Sequence, residues 1–146
     1  MPRQENLEAL RQAHMRYRVR DLEGHLKLYS RSVIHHGFSS RIRPGIAGLR
    51  DHHTAVLGAF PDVRLDVSDV IADGERAAYR FVFSGTNKGK YLNFPATGKV
   101  VTAAGMHMYL FQNGEVVEVW QTFDTFGFLS QIGAIPKLRD VEVARA

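Results

Sequence analysis

The amino-acid sequence predicts an α+β fold in which helices near the beginning of the chain pack on one face of a strongly curved antiparallel sheet. Apolar residues recur at helical spacing up to about residue 60 and alternate with polar residues from residue 63 onwards. An Asp-Gly pair and an Asn-Gly pair then separate successive strand-like segments, as expected for hairpins in an antiparallel meander. Because helices would cover a curved sheet, we expect the fold to enclose a pocket.

The first helix is expected over residues 5–20, where apolar residues follow the helical period. Its apolar stripe would consist of Leu7, Leu10, His14 and Tyr17. Because the stripe contains a histidine and a tyrosine, this helix is expected to present polar groups to the pocket.

Two further helices are expected before the sheet. Asp21 is a suitable N-cap for a helix that would run to about Ser30, and the segment SVIHHGF after it is typical of a short strand. The next helix would begin near Gly48 and end before Pro61. Its inward residues would be Leu49, His53, Val56 and Phe60.

Four strands are expected in the second half of the chain. Val63, Leu65 and Val67 alternate with polar residues, and the segments ADGE and FQNGE mark two hairpin turns. The expected strands lie near residues 63–70, 76–86, 99–111 and 115–124.

The composition excludes several classes of protein. With 146 residues, 45% of them hydrophobic, the chain is expected to form one domain over residues 1–146. It contains no cysteine, which excludes disulfides and cysteine nucleophiles and favours a cytoplasmic location.

The two ends and the apolar runs of the chain show no targeting or membrane segment. The first residues are too polar for a signal peptide, and the longest uncharged run, residues 100–114, is too short to span a membrane. Residues 137–146 are expected to form a frayed tail.

The net charge of +4 does not indicate a nucleic-acid-binding protein. Lysines and arginines are scattered along the chain, and only the segment RYRVR, residues 16–20, is a cluster. We interpret this cluster as the solvated face of a helix.

An isolated carboxylate lies near the end of the last strand. Asp124 is the only acid after Glu118 in the stretch EVWQTFDTFGFLSQIGA. Alternation places Asp124 on the same face as Trp120 and, taken alone, predicts that this face is exposed to solvent. However, Trp120 is the only tryptophan, and the neighbouring strand VTAAGMHMYLF carries no charged residue, as expected of a strand covered on both faces. We therefore expect Asp124 and His107 to face the pocket, either as a catalytic site or as a buried hydrogen-bonded pair.

Five short motifs occur in a fixed order. They are AFPD at 59–62, SGTNKG at 84–89, FPATGK at 94–99, NGEVVEVW at 113–120, and the aspartate at 124 followed by LSQIG at 129–133. Their order and spacing resemble those of the SnoaL-like polyketide cyclases over nearly all of the chain after the first two helices. The resemblance implies the nuclear transport factor 2-like fold, which is a cone-shaped α+β barrel closed by helices.

The resemblance also implies a chemistry. The founding cyclases close the last ring of aromatic polyketide antibiotics by an intramolecular aldol condensation, without metal or cofactor, and use a late aspartate as general acid and base. Asp124 matches that aspartate, and His107 matches a polar pocket residue on the adjacent strand. The family commonly has an acid or a histidine beside the late tryptophan, whereas Val119 and Gln121 flank Trp120 here. The implied ligand is a small hydrophobic or aromatic carbonyl compound.

A carboxylate in a poorly solvated pocket would be a stronger base than in water, and could take a proton from a carbon between two carbonyl groups. His107, Tyr17 and Gln121 are the candidate donors to the developing oxyanion. The other candidate substrate-binding residues are His14, His35, His53 and Trp120.

Three functional classes remain open from the residues alone, of which a cyclase or isomerase acting through Asp124 is the first. On the same scaffold, an isomerase would use the same proton transfer, and a hydrolase would use the carboxylate to activate water. The third class is a small-molecule-binding protein without catalytic activity. A metal site is not expected, because only one ring of each doublet, His35-His36 and His52-His53, would face a common centre.

The resemblance further implies a homodimer or higher oligomer, since proteins of this fold usually associate through the outer face of the sheet. Tyr79, Phe81 and Phe83 share one face of the second long strand. An aromatic stripe is typical of a core, but if it were exposed it would mark an interface.

Overall fold

Residues 2–39 and 41–135, which the computed structural model describes, form four helices and five strands. The helices are α1 (Pro2–Arg18), α2 (Leu22–Leu26), α3 (Gly45–Ala59) and α4 (Thr125–Gln131). The strands are β1 (Tyr29–His36), β2 (Arg64–Asp73), β3 (Arg76–Thr86), β4 (Val100–Gln112) and β5 (Glu115–Phe123). The tail expected at residues 137–146 lies outside the described residues. None of the helices described combines the length and the apolar character that crossing a membrane requires.

The five strands form one sheet in the order β1-β5-β4-β3-β2. Strands β2 to β5 pair antiparallel with their sequence neighbours, so the predicted meander and the α+β class are confirmed. Strand β1 adds to the edge of the sheet by pairing parallel with β5. The sequence signals did not predict this pairing, because the two strands are separated by most of the chain.

Both hairpin turns have the backbone that their residues favour. Asn113 and Gly114, between β4 and β5, have φ angles of 53° and 80°. Two consecutive left-handed residues are the requirement of a type I′ turn, which explains why an Asn-Gly pair occurs there. Gly74, between β2 and β3, has a φ of 60°.

The second helix is shorter than predicted. It ends at Leu26 rather than near Ser30, and β1 already begins at Tyr29. Leu28 and Tyr29 are both buried at 6% exposure, so the chain turns inward after Lys27 and leaves the helical path. The boundaries of α1 and α3 differ from the prediction by one to three residues.

The core lies between the inner face of the sheet and the helices. Tyr79, Phe81 and Phe83 on β3 are 2%, 3% and 6% exposed, so the aromatic stripe is part of the core and not an interface. On the opposite face of the same strand, Arg80 and Val82 are exposed.

A β-bulge in β5 determines which of its side chains face inward. Tyr109 pairs with Val119, whereas Phe111 pairs with Val116, so β5 contributes one more residue than β4 over this stretch. As a result, Val116 and Val119 are both fully buried. Beyond the bulge the odd-numbered residues of β5 face the core.

Candidate active site

Hydrogen bonds connect α1 to the middle of the sheet through a single phenol. The hydroxyl of Tyr79 on β3 lies 2.8 Å from Nε2 of His14 on α1 and 2.8 Å from Nδ1 of His107 on β4. The hydroxyl of Tyr109 lies 2.6 Å from the same oxygen. On the other side of the ring, Nε2 of His107 lies 2.8 Å from Oε1 of Gln121 on β5. We refer to these five residues as the interior network.

The partners of His107 define the order of donors in the interior network. With the amide oxygen of Gln121 facing Nε2, His107 donates from that nitrogen, and its Nδ1 then accepts from the Tyr79 hydroxyl. Tyr79 has only one proton, so its oxygen accepts from Nε2 of His14. Tyr79 and His107 therefore each donate and accept, which is the arrangement that allows a proton to move along a chain.

The aromatic ring of Phe81 holds His107 in place. The two rings stack with their centroids 4.5 Å apart. Phe81 can lie flat against β4 because the facing residue is Gly105, where an added Cβ would lie only 2.5 Å from Cζ of Phe81. A glycine in the middle of a strand is thus explained by close packing at the site.

Five imidazoles lie in or around the interior network, and burial keeps them uncharged. Desolvation lowers the pKa of His14, His52 and His107 to about 4. Burial also lowers the pKa of His25 and, by more, that of His53. Neutral imidazoles can accept or donate a hydrogen bond near pH 7, so the interior is polar without carrying charge.

His53 is the one described residue with a buried side-chain polar atom that has no partner. Its Nδ1 makes no hydrogen bond, although its ring packs edge-on against Tyr17 at 5.2 Å and against His25 at 5.3 Å. His25, by contrast, donates from Nδ1 to the carbonyl of Ala13 at 2.8 Å. An unsatisfied buried nitrogen is costly, so Nδ1 of His53 lowers the stability of the fold.

A cleft of about 480 Å³ opens between α1 and β2. Its walls are apolar and come from Leu7 and Leu10 on the helix side and from Leu65 and Val67 on the sheet side. His14 also lines this cleft, so it is the member of the interior network that a bound molecule would meet first. A volume of this size is in the range of small-molecule sites.

Asp124 is not where the sequence analysis placed it. The residue follows β5, its side chain is exposed, and Oδ1 accepts a hydrogen bond of 2.9 Å from the amide of Gly127. It is therefore the N-cap of α4. The expected poorly solvated setting is wrong, because a carboxylate that caps a helix at the end of a strand stays in contact with water.

Trp120 was also expected to face the pocket and does not. Its ring lies on the outer face of the sheet, where it stacks on His36 at 5.3 Å and Arg76 lies over it at 5.6 Å. Alternation alone had predicted that Trp120 faces solvent. The bulge in β5 precedes Trp120, so this prediction holds for the residues after the bulge. Gln121, the next residue, is the one that points inward.

The remaining candidates occupy three different places. Tyr17 is buried at 5% exposure between His25 and His53, and burial raises the pKa of its phenol. His35 lies apart from the interior network, where Nε2 donates to the carbonyl of Arg43 at 3.2 Å. His14, His107 and Gln121 are brought together as expected.

Adjacent histidines on α3 both reach the interior. The rings of His52 and His53 lie 5.0 Å apart, although helical geometry had indicated that only one would turn inward. Even so, the described residues contain no group of three histidines or acids arranged to hold a metal ion.

Two members of the interior network were missed by the sequence analysis. Tyr79 and Tyr109 alternate correctly with the buried residues of β3 and β4, so their inward direction could have been predicted. Their contact with His14 and His107 depends on long-range packing, since 65 residues separate Tyr79 from His14.

Comparisons with solved structures agree with this architecture. AclR, a proposed hydroxylase from Streptomyces galilaeus, is 25% identical with a TM-score of 0.81, and the match covers 92% of this chain and 99% of AclR. TsrD from Streptomyces laurentii is 22% identical with a TM-score of 0.80, over 91% of this chain and 98% of TsrD. A protein from Jannaschia sp. CCS1, described as a SnoaL-like polyketide cyclase, is 18% identical with a TM-score of 0.79, over 92% of this chain and 95% of its own.

A search of curated protein sequences finds no significant match. The family comparison is more specific. The model of the SnoaL-like polyketide cyclases matches residues 8–132, which include every element from most of α1 to the end of α4. This match covers far more than half of the chain and contains the interior network and all of the cleft lining except Leu7, and we conclude that the chain belongs to the SnoaL-like polyketide cyclase family.

Proposed function

We propose that this protein is a cofactor-free cyclase that closes a ring in a polyketide-like carbonyl compound by an intramolecular aldol condensation. The observation that carries the proposal is the unbroken chain of hydrogen bonds from His14, which lines the cleft, through Tyr79 to His107. Such a chain can hold a proton taken from a substrate and return it later.

The reaction needs one proton acceptor and one oxyanion donor. In the first step, the neutral imidazole of His14 takes a proton from the carbon between two carbonyl groups, and the electron pair of the broken C–H bond forms an enolate. The enolate carbon then bonds to a ketone carbon of the same molecule, whose oxygen becomes an alkoxide. The alkoxide takes the proton back, so the aldol addition neither gains nor loses atoms.

Groups that line the cleft support both roles. Burial raises the pKa of the Tyr17 phenol, so Tyr17 remains protonated and can donate a hydrogen bond to the enolate or alkoxide oxygen. Burial lowers the pKa of His14, so its imidazole is uncharged and available as a base at neutral pH. The apolar walls of the cleft would hold the flexible substrate folded, which lowers the entropic part of the barrier.

Asp124 is the alternative proton acceptor, which the family resemblance implies. It does not line the cleft between α1 and β2, and one of its oxygens caps α4. These two observations favour His14. The variants described in the Discussion decide between the two residues.

The test uses a β-keto ester whose ketone carries an ortho-acetylbenzyl group, since its active methylene can close a six-membered ring on the acetyl carbonyl. The protein, after extended dialysis against a chelator, is incubated with this compound and the products are separated by chromatography with mass detection. We expect an isomeric product of unchanged mass, or its dehydrated form, to appear faster than in buffer. Equal rates with and without protein would overturn the proposal.

A further inference from the structure

The mouth of the cleft is positively charged. Four arginines, Arg11, Arg18, Arg20 and Arg64, line it together with one acid, Asp66. Positive groups around an apolar cleft concentrate the field inside it, because the low-dielectric walls do not screen the charges. A ligand that enters the cleft would therefore meet an excess of positive charge.

Two of the four arginines are already neutralised. Arg11 pairs with Glu8 at 2.6 Å, and Arg64 pairs with Asp66 at 2.9 Å. Arg18 and Arg20 have no carboxylate partner among the residues that the structure describes. The uncompensated charge at the mouth thus lies on these two side chains, at the C-terminal end of α1.

The backbone at Arg20 adds an independent observation. Its φ is 66°, in the left-handed region, and the amide of Asp21 bonds to the carbonyl of Arg16 at 2.8 Å to close the end of the helix. Glycine or asparagine is the usual residue at this position, because a larger side chain is strained there. Here an arginine occupies it, and its side chain lines the cleft.

We propose that Arg18 and Arg20 form a subsite for a carboxylate, so that the cleft selects a small apolar acid. The apolar body of the ligand would lie against Leu10 and Leu65, its reacting carbonyls would approach His14, and its carboxylate would lie between the two guanidinium groups. This inference rests on the proposed function and narrows its substrate class from carbonyl compounds in general to those that also carry an acid group.

The test compares 2-naphthoic acid with its methyl ester, which has the same ring system without the charge. Binding of each compound to the wild-type protein is measured by fluorescence titration at low salt. Arg18→Gln and Arg20→Gln remove the charges singly and together, Arg20→Lys retains the charge, and Arg31→Gln removes an exposed charge on β1 that does not line the cleft.

We expect the wild type to bind the acid more tightly than the ester, and the double variant to lose about tenfold in affinity for the acid. Affinity for the ester should change little in any variant. Arg20→Lys and Arg31→Gln should bind the acid nearly as well as the wild type, and added salt should weaken binding of the acid alone.

Equal affinity of the double variant and the wild type for the acid would overturn the carboxylate subsite and leave the proposed function intact. Failure of both compounds to bind the wild type at millimolar concentration would contradict a ligand site in this cleft, and with it the proposed function.

Discussion

The hydroxyl of Tyr79 lies 2.8 Å from Nδ1 of His107, and the same oxygen is also in contact with His14 and Tyr109. One phenol therefore satisfies polar groups from one helix and two strands. Because Tyr79, Tyr109 and His107 are shielded from bulk water, each depends on the others for its hydrogen bonds.

Replacing Tyr79 by phenylalanine should destabilise the fold and slow turnover. The substitution removes one hydroxyl and leaves buried polar atoms of His107 and Tyr109 short of a partner, which costs about 1–3 kcal/mol. Urea denaturation measures the change in the free energy of unfolding. Tyr91→Phe is the matched control, since Tyr91 is half-buried and lies outside the interior network, and it should change stability by only a few tenths of a kcal/mol. Equal stability losses in both variants would show that the Tyr79 hydroxyl has no special role.

Stability should fall as the pH is lowered from neutral. In the folded chain the pKa of His14, His52 and His107 is about 4, whereas the ordinary value is 6.5. Between these values the unfolded chain binds more protons than the folded one, so protonation favours unfolding, by at most about 1.4 kcal/mol per pH unit for each imidazole.

The measurement is urea denaturation at about pH 7.5 and about pH 5, where most carboxylates remain ionised. His107→Gln should reduce the dependence on pH, because one of the responding groups is then absent. A free energy of unfolding that is the same at both pH values would contradict the uncharged interior.

Variants of the two aspartates that cap helices distinguish a structural role of Asp124 from a catalytic one. Asp124 caps α4 and Asp21 caps α2, and each accepts a 2.9 Å hydrogen bond from a glycine amide three residues later. Replacement of either by asparagine should preserve stability, and replacement by alanine should cost about 1 kcal/mol. If Asp124 is the general acid and base, only Asp124→Asn will lower turnover, by about 10² to 10⁴-fold. Equal turnover by Asp21→Asn and Asp124→Asn would leave Asp124 as a cap alone.

The outer face of the sheet is expected to bind a second copy of the chain. Met106 and Met108 on β4, Val82 on β3 and Ile71 on β2 expose apolar side chains there, between 38% and 70%. An apolar patch can face its own copy across a two-fold axis without unpaired charges. Met106→Lys combined with Val82→Lys should convert a dimer to a monomer in light scattering, whereas Val19→Lys, an exposed position on the other side of the fold, should not. A monomeric wild type at micromolar concentration would contradict this expectation.

Much of the fold could be predicted because its signals are local. Asn113 and Gly114 favour a tight turn by their own backbone preferences, and the strands on either side follow from alternation. The stripe that contains His14 and Tyr17 is likewise a property of one helix. His14 and Tyr17 both face the interior, as that stripe predicted.

The site was harder to predict because it depends on register and packing. The bulge near Val117 is invisible in the sequence, and the weight given to the single tryptophan placed Trp120 and Asp124 in the pocket with Gln121, although of the three only Gln121 joins the interior network. The parallel pairing of β1 with β5 and the contact of His14 with Tyr79 join distant parts of the chain. No local pattern reports such contacts.

The most direct test of the account is the initial rate of ring closure of the ortho-acetylbenzyl β-keto ester by His14→Gln. The assay runs beside the wild type and Asp124→Asn, with thermal unfolding measured on each preparation. We predict that His14→Gln remains folded and loses about 10² to 10⁴-fold in rate, while Asp124→Asn retains most of it. A His14→Gln variant that closes the ring at the wild-type rate, with Asp124→Asn inactive, would contradict proton transfer at the interior network.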